Sequence, residues 1–167
     1  MKYFAYGSNM LSSRLRAPSR APTAIPLGLG LLPDYDLRFQ KRSDDGSSKC
    51  TIVPCAGRQV FGVVFDVASA EKAQLDQAEG LGDGYAEEYL MVSREGGPLR
   101  VLTYVAQSDH IKPDLAPYTW YRDIVVAGAR DHRLPETYVQ FLLATDATED
   151  PDRERDRRNQ RVLASHR

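Results

Sequence analysis

The run at residues 60–67, VFGVVFDV, constrains the fold more than any other part of the chain. It is almost continuously apolar and rich in β-branched and aromatic residues, the pattern of a strand covered on both faces. That strand belongs at the centre of a sheet, with other elements packed over it. Residues 17–33 impose a second constraint, because they carry Pro18, Pro22, Pro26, Pro33, Gly28 and Gly30. An interior proline removes a helical hydrogen bond and clashes with the preceding turn, so short extended pieces and turns are expected there. Residues 2–6 read as a buried strand, broken by Gly7-Ser8-Asn9. A short helix over residues 10–16 follows, with Asn9 as its N-cap. Residues 36–39 and 50–53 are expected to be extended, separated by the polar turn at 43–48. Ser69 can cap a helix running to about Ala78, with Gly80 just past its end. Residues 85–94 and 99–106 flank Glu95-Gly96-Gly97-Pro98, a hairpin signal. Helices are expected from Thr119 towards Ala129 and from Pro135 onwards. Strands and helices mix without regular alternation, which favours an α+β fold over a doubly wound sheet.

Charge narrows the function classes. The 167 residues include 22 Lys and Arg against 23 Asp and Glu, a formal net charge of −1. Such a balance supplies no global field to draw in nucleic acid or an anionic bilayer, so neither is expected as a partner. No apolar run approaches the roughly 20 residues that span a membrane. The N-terminus has no basic segment followed by a long apolar stretch and a cleavage site. Two cysteines, Cys50 and Cys55, suit a reducing compartment, and the expected location is the cytoplasm. They lie without a second Cys or His pair at ligand spacing, so no metal site is expected. His110, His132 and His166 sit in polar surroundings with no paired spacing. Residues 146–161 interleave both signs of charge, the pattern of a solvated helix or frayed tail and not of a nucleic-acid arm. The expected organisation is one domain over residues 1–145 and a charged C-terminal helix or tail over 146–167.

Two local features carry chemistry. The first is Gly7-Ser8-Asn9 between a buried strand and a short helix. A helix N-terminus offers free backbone N–H groups and partial positive charge, and glycine lets backbone approach a ligand, so the turn can hold a carboxylate or phosphate. An ordinary strand-to-helix turn capped by Asn9 fits the same residues. The second is Leu75-Asp76-Gln77-Ala78-Glu79-Gly80. Asp76 and Glu79 fall in the last turn of a helix, against the usual preference of the macrodipole. An acid in that position is unfavourable unless something else holds it. Nothing local says which of the two acids would act, and two exposed acids on a helix end fit the pattern as well.

Taken together, Phe4-Ala5-Tyr6-Gly7-Ser8-Asn9-Met10, then Phe61-Gly62-Val63-Val64-Phe65 with Leu75 to Gly80 and Tyr85, resemble the γ-glutamylcyclotransferases and their AIG2-like relatives. A third block, Val126-Ala127-Gly128-Ala129-Arg130-Asp131-His132-Arg133-Leu134-Pro135-Glu136-Thr137-Tyr138, is similar to the family's C-terminal helix, glycine and turn. The likeness spans roughly residues 2–145. It implies a small mixed β-barrel with surrounding helices. It implies intramolecular aminolysis: the α-amine of a γ-glutamyl group attacks its own γ-carbonyl, giving 5-oxoproline and a free amine, with no cofactor and no metal. Carried over by matching position, Tyr6, Gly7, Ser8 and Asn9 hold the glutamyl group, Glu79 is the catalytic acid, and Tyr85, Tyr104 and Tyr121 line the cavity. The implied partner is a small γ-glutamyl substrate, and a homodimer is left open. Two other readings stay open: a cyclotransferase for a different γ-glutamyl-capped substrate, and a non-catalytic small-molecule-binding module. Retention of an acid at Glu79 argues against the last.

Overall fold

The computed structural model describes residues 1–164. Its strands are β1 (Lys2–Ala5), β2 (Ile25–Arg42), β3 (Ser48–Asp66), β4 (Tyr85–Val92) and β5 (Leu99–Ala106). Its helices are α1 (Ser12–Leu15), α2 (Lys72–Glu79), α3 (Thr119–Asp131), α4 (Glu136–Leu143) and α5 (Arg153–Ala164). Single 3₁₀ turns precede α1 and α2 and follow β5.

The five strands form one mixed sheet in the order β2-β3-β1-β5-β4. The apolar run of residues 60–67 supplies the inner end of β3, where Val60, Val63, Val64 and Phe65 are fully buried. On one side β3 pairs with β2 in a long hairpin, and on the other with β1, antiparallel in both cases. β1 then runs parallel to β5, with Tyr3 opposite Leu102. The two ends of the sheet meet at one place. Leu31 and Ser93 exchange two backbone hydrogen bonds of 2.8 Å, which draws β2 against the chain just beyond β4 and curls the sheet into a barrel.

Residues 17–33 differ from expectation at their C-terminal end. The expected short pieces after Ile25 are instead the start of an 18-residue strand. Pro26 and Pro33 are tolerated because each sits at a register shift, and because β2 is the terminal strand of the order. Residues 36–39 and 50–53 likewise belong to β2 and β3 and are not separate strands. The hairpin of β4 and β5 forms as read, with Tyr85 opposite Ala106 and Val92 opposite Leu99. α2 starts later than expected, at Lys72, and Ser69 makes no side-chain cap. The helix does end at Gly80, whose φ of 70° is left-handed.

α3 crosses the barrel beside the turn that follows β1. A Cβ built on Gly128 would lie 2.4 Å from the backbone nitrogen of Leu11 and 2.6 Å from the carbonyl carbon of Met10. The helix therefore touches the turn backbone to backbone, and the obstacle is not a flexible side chain that can swing away. Gly128→Ala is expected to lower stability by about 3 kcal/mol, at the upper end of overpacking costs, and the loss is measurable by denaturant titration.

α5 is a charged helix, as its composition suggests, with Val162 and Leu163 turned onto the core. It is docked through Asp150, whose side chain is buried just before it. That carboxylate accepts from Trp120 Nε1 at 2.8 Å and from Arg155 Nε and Nη2 at 2.7 and 2.5 Å. Burial alone would raise its pKa, but the Arg155 and Trp120 hydrogen bonds outweigh burial and hold it at about 2. Residues 165–167, including His166, lie outside the described residues. Among the described residues no helix is long and apolar enough to cross a membrane. Asp150→Asn is expected to cost about 2 kcal/mol at neutral pH, the range of a hydrogen bond to a charged group. A depressed folded pKa means that the unfolded chain takes up the proton first. The carboxylate's contribution is complete above its unfolded value of about 4 and is lost as pH falls towards about 2. Denaturant titrations of the two proteins should converge between pH 4 and 2, and a constant gap would reject this account.

Candidate active site

The site begins where β1 ends. Beyond Ala5 the chain passes Tyr6 and Gly7 and turns through Ser8–Met10 before α1. Gly7 has φ −117°, outside the left-handed region, and what the glycine supplies is space. A Cβ there would stand 3.1 Å from Cys50 Cβ and 3.3 Å from the Tyr121 hydroxyl.

Asn9 is not the N-cap that the sequence suggests, since neither the turn nor α1 has a side-chain cap. Its side chain is buried and spans the interior instead. Nδ2 donates to the Tyr3 hydroxyl at 3.0 Å and to Glu79 Oε1 at 2.9 Å, while Oδ1 accepts from Arg20 Nη1 at 3.1 Å. A buried amide must find partners, and these lie across the fold, not in a four-residue helix.

The two acids of α2 have separate fates. Asp76 is held by Lys72 Nζ at 2.8 and 2.9 Å and accepts from the Tyr104 hydroxyl at 2.6 Å. It lies outside the cavity lining. Glu79 faces the cavity, and its Oε1 also accepts from Arg20 Nη1 at 2.5 Å. Arg20 and Asn9 thus offset the poor fit of an acid at a helix C-terminus. Nothing in the sequence singled out Arg20. It sits in the proline-rich loop, where no periodicity marks a functional residue, and the one available signal was an acid that needed a cation.

All eight residues singled out by sequence, namely Tyr6, Gly7, Ser8, Asn9, Glu79, Tyr85, Tyr104 and Tyr121, line one cavity. Tyr3 and Cys50 complete its wall. The tyrosine hydroxyls are engaged with the protein itself. Tyr6 donates to the Tyr104 carbonyl, Tyr85 donates to the Cys50 carbonyl at 2.6 Å, and Tyr121 accepts from the Cys50 N–H at 3.1 Å. Burial pushes the pKa of Tyr3, Tyr6, Tyr85, Tyr104 and Tyr121 above the ordinary phenol value. Burial also pushes the Cys50 thiol up to about 12, so it stays protonated at neutral pH. Of the ten lining residues Glu79 alone is acidic. Among the described residues no group of three or more His, Cys, Asp or Glu side chains is placed to hold a metal ion.

A model of the AIG2-like family matches residues 59–142, half of the chain. A mouse γ-glutamylcyclotransferase is 30% identical over 154 residues, which cover 88% of this chain and 79% of the relative. The chain belongs to the γ-glutamylcyclotransferase and AIG2-like family. A human γ-glutamylcyclotransferase is 29% identical over 151 residues, covering 86% of this chain and 78% of that protein. A solved structure titled γ-glutamyl cyclotransferase superposes with a TM-score of 0.84 at 25% identity, covering 96% of this chain and 98% of that one. The family's three sequence blocks now have physical positions. The first is the turn, the second carries Glu79, and the third places Gly128 against the turn's backbone. In this family member Asn9→Ala leaves the buried Tyr3, Arg20 and Glu79 groups short of a partner. We expect a stability loss of about 2 kcal/mol, beyond that of a lost helix cap. If Asn9 also orients Glu79, turnover should fall about tenfold or more in the folded variant. Denaturant titration and steady-state kinetics on the same preparation check the two effects.

Proposed function

We propose that this chain is a γ-glutamylcyclotransferase, releasing 5-oxoproline and a free amine from a γ-glutamyl compound. The observation that carries the reading is Glu79, the single acid of a tyrosine-walled cavity, hydrogen-bonded to the Asn9 of the turn. The family membership supports it.

The chemistry follows from the substrate's own amine. A γ-glutamyl α-amine is largely ammonium at neutral pH and cannot attack until it loses a proton. Glu79 takes that proton. The amine lone pair then adds to the γ-carbonyl carbon, forming the ring C–N bond. Glu79 gives that proton to the departing nitrogen as collapse of the adduct breaks the original amide C–N bond. The ring nitrogen's second proton then passes by way of Glu79 to the released amine, which leaves as an ammonium while the ring closes as a neutral lactam. No electrons change hands and no water is consumed. Backbone N–H groups of the turn at residues 7–9 are suited to a substrate carboxylate or to the developing oxyanion. The buried phenols act as walls that curl the glutamyl chain, and positioning of a five-membered closure supplies most of the acceleration.

Incubation with γ-glutamyl-alanine should release 5-oxoproline. Glu79→Gln keeps the size of the side chain but cannot accept the ammonium proton, so kcat is expected to fall by about 10²-fold or more. Near-normal turnover by the folded variant would move the base away from Glu79. Absence of 5-oxoproline from any γ-glutamyl compound would favour a binding module.

A further inference from the structure

The tyrosine-walled cavity opens into a wider polar cleft, and the two share Ser8, Glu79, Tyr85 and Tyr121. With the glutamyl group inside and the proton exchanged at Glu79, the departing amine lies in this outer cleft. Four cations line it: Arg14, Arg20, Lys41 and Lys49. Two of them are already neutralised. Arg20 is paired with Glu79 at 2.5 Å, and Lys49 with Asp45 at 2.6 Å.

The other two are not. Among the described residues no carboxylate oxygen lies within 4.0 Å of the side chain of Arg14 or Lys41. Arg14 is half-buried, and its Nε donates to Ser8 Oγ at 3.2 Å. Lys41 is buried, with its ammonium 4.9 Å from the centre of the Tyr85 ring. Each cation thus touches one of the residues common to cavity and cleft. Two further acids, Asp44 and Asp83, line the cleft but are exposed on its rim. They attract the Lys41 ammonium, but not enough to offset its burial. Burial lowers the pKa of both cations, Arg14 to about 10 with help from the neighbouring Arg20, as expected of charges taken out of water with no carboxylate in contact. A buried charge without a partner is costly, and here a ligand can supply the partner.

Resting on the cyclotransferase reading, we propose that Arg14 and Lys41 form a two-point anion subsite for the departing amine. The favoured leaving group then carries two acidic groups, as an acidic amino acid does, with one group on each cation. A neutral amino acid offers only its single carboxylate and leaves one cation unsatisfied. A simple alkylamine leaves both.

The test compares γ-glutamyl-glutamate with γ-glutamyl-glutamine, which differ by one carboxylate in place of an amide at nearly equal size. In about 0.1 M salt the acidic substrate should have a kcat/KM higher by about tenfold, the effect of one charged hydrogen bond. Arg14→Gln and Lys41→Gln should each bring the ratio towards unity, and Lys41→Arg should restore it. A wild-type ratio within about twofold, with both substrates turned over, overturns the subsite and leaves the cyclotransferase reading standing. A ratio that persists in both glutamine variants also overturns the assignment to these residues. No 5-oxoproline from either dipeptide or from γ-glutamyl-alanine overturns the activity itself, and the subsite with it. The wild-type comparison needs no variant, so a misfolded substitution does not blunt the test.

Discussion

The site depends on a steric condition: the backbone of α3 must come into contact with the backbone of the turn at Met10 and Leu11. Only a residue without a Cβ satisfies it, and Gly128 is that residue. The contact fixes the far end of the turn while β1, paired on both sides within the sheet, fixes its near end. Ser12 Oγ and His132 Nε2, 2.9 Å apart, fasten the same two elements one step further on. With both ends held, Asn9 cannot rotate out to solvent as a helix cap would. Its amide is committed to the interior, and through it Tyr3, Glu79 and Arg20 become one hydrogen-bonded unit.

The cavity wall divides its labour by the same logic. Five phenols sound like an array of acids, yet Tyr6 and Tyr85 spend their protons on backbone carbonyls, and Tyr104 spends its own on Asp76. Their hydrogen bonds lock the rings in place and leave shape as their contribution. In the proposed mechanism proton transfer falls to the lining's single carboxylate, which is held by two donors from separate segments of the chain. On that proposal the site gains its rate from geometry more than from chemical reactivity.

Much of this was legible in the amino-acid order, for identifiable reasons. The inner end of β3 announces itself because a doubly covered strand must be apolar throughout, and the β4–β5 hairpin because its turn needs glycine. The left-handed end of α2 is readable from Gly80 alone. The length of β2 was hidden, since prolines that sit at bulges look the same in sequence as prolines that end strands. Asn9 misled because capping is a local rule, while its real partner stands 70 residues away. Arg20, Arg14 and Lys41 were silent for a related reason. A lone cation in a loop or a strand carries no pattern, and its meaning comes from which other charges are already taken.

The mixed pairing of β1 has a consequence for how the chain comes to be made. β1 is a central strand, with β3 on one side and β5 on the other, yet it precedes both in the sequence and is made before either neighbour exists. Its parallel partner arrives only with Leu102, and the glycine that clamps its turn arrives only with Gly128. Contacts this distant along the chain slow folding and leave apolar strand edges uncovered in the meantime. β1 is thus among the last elements to settle, and its turn stays unclamped until Gly128 has been made.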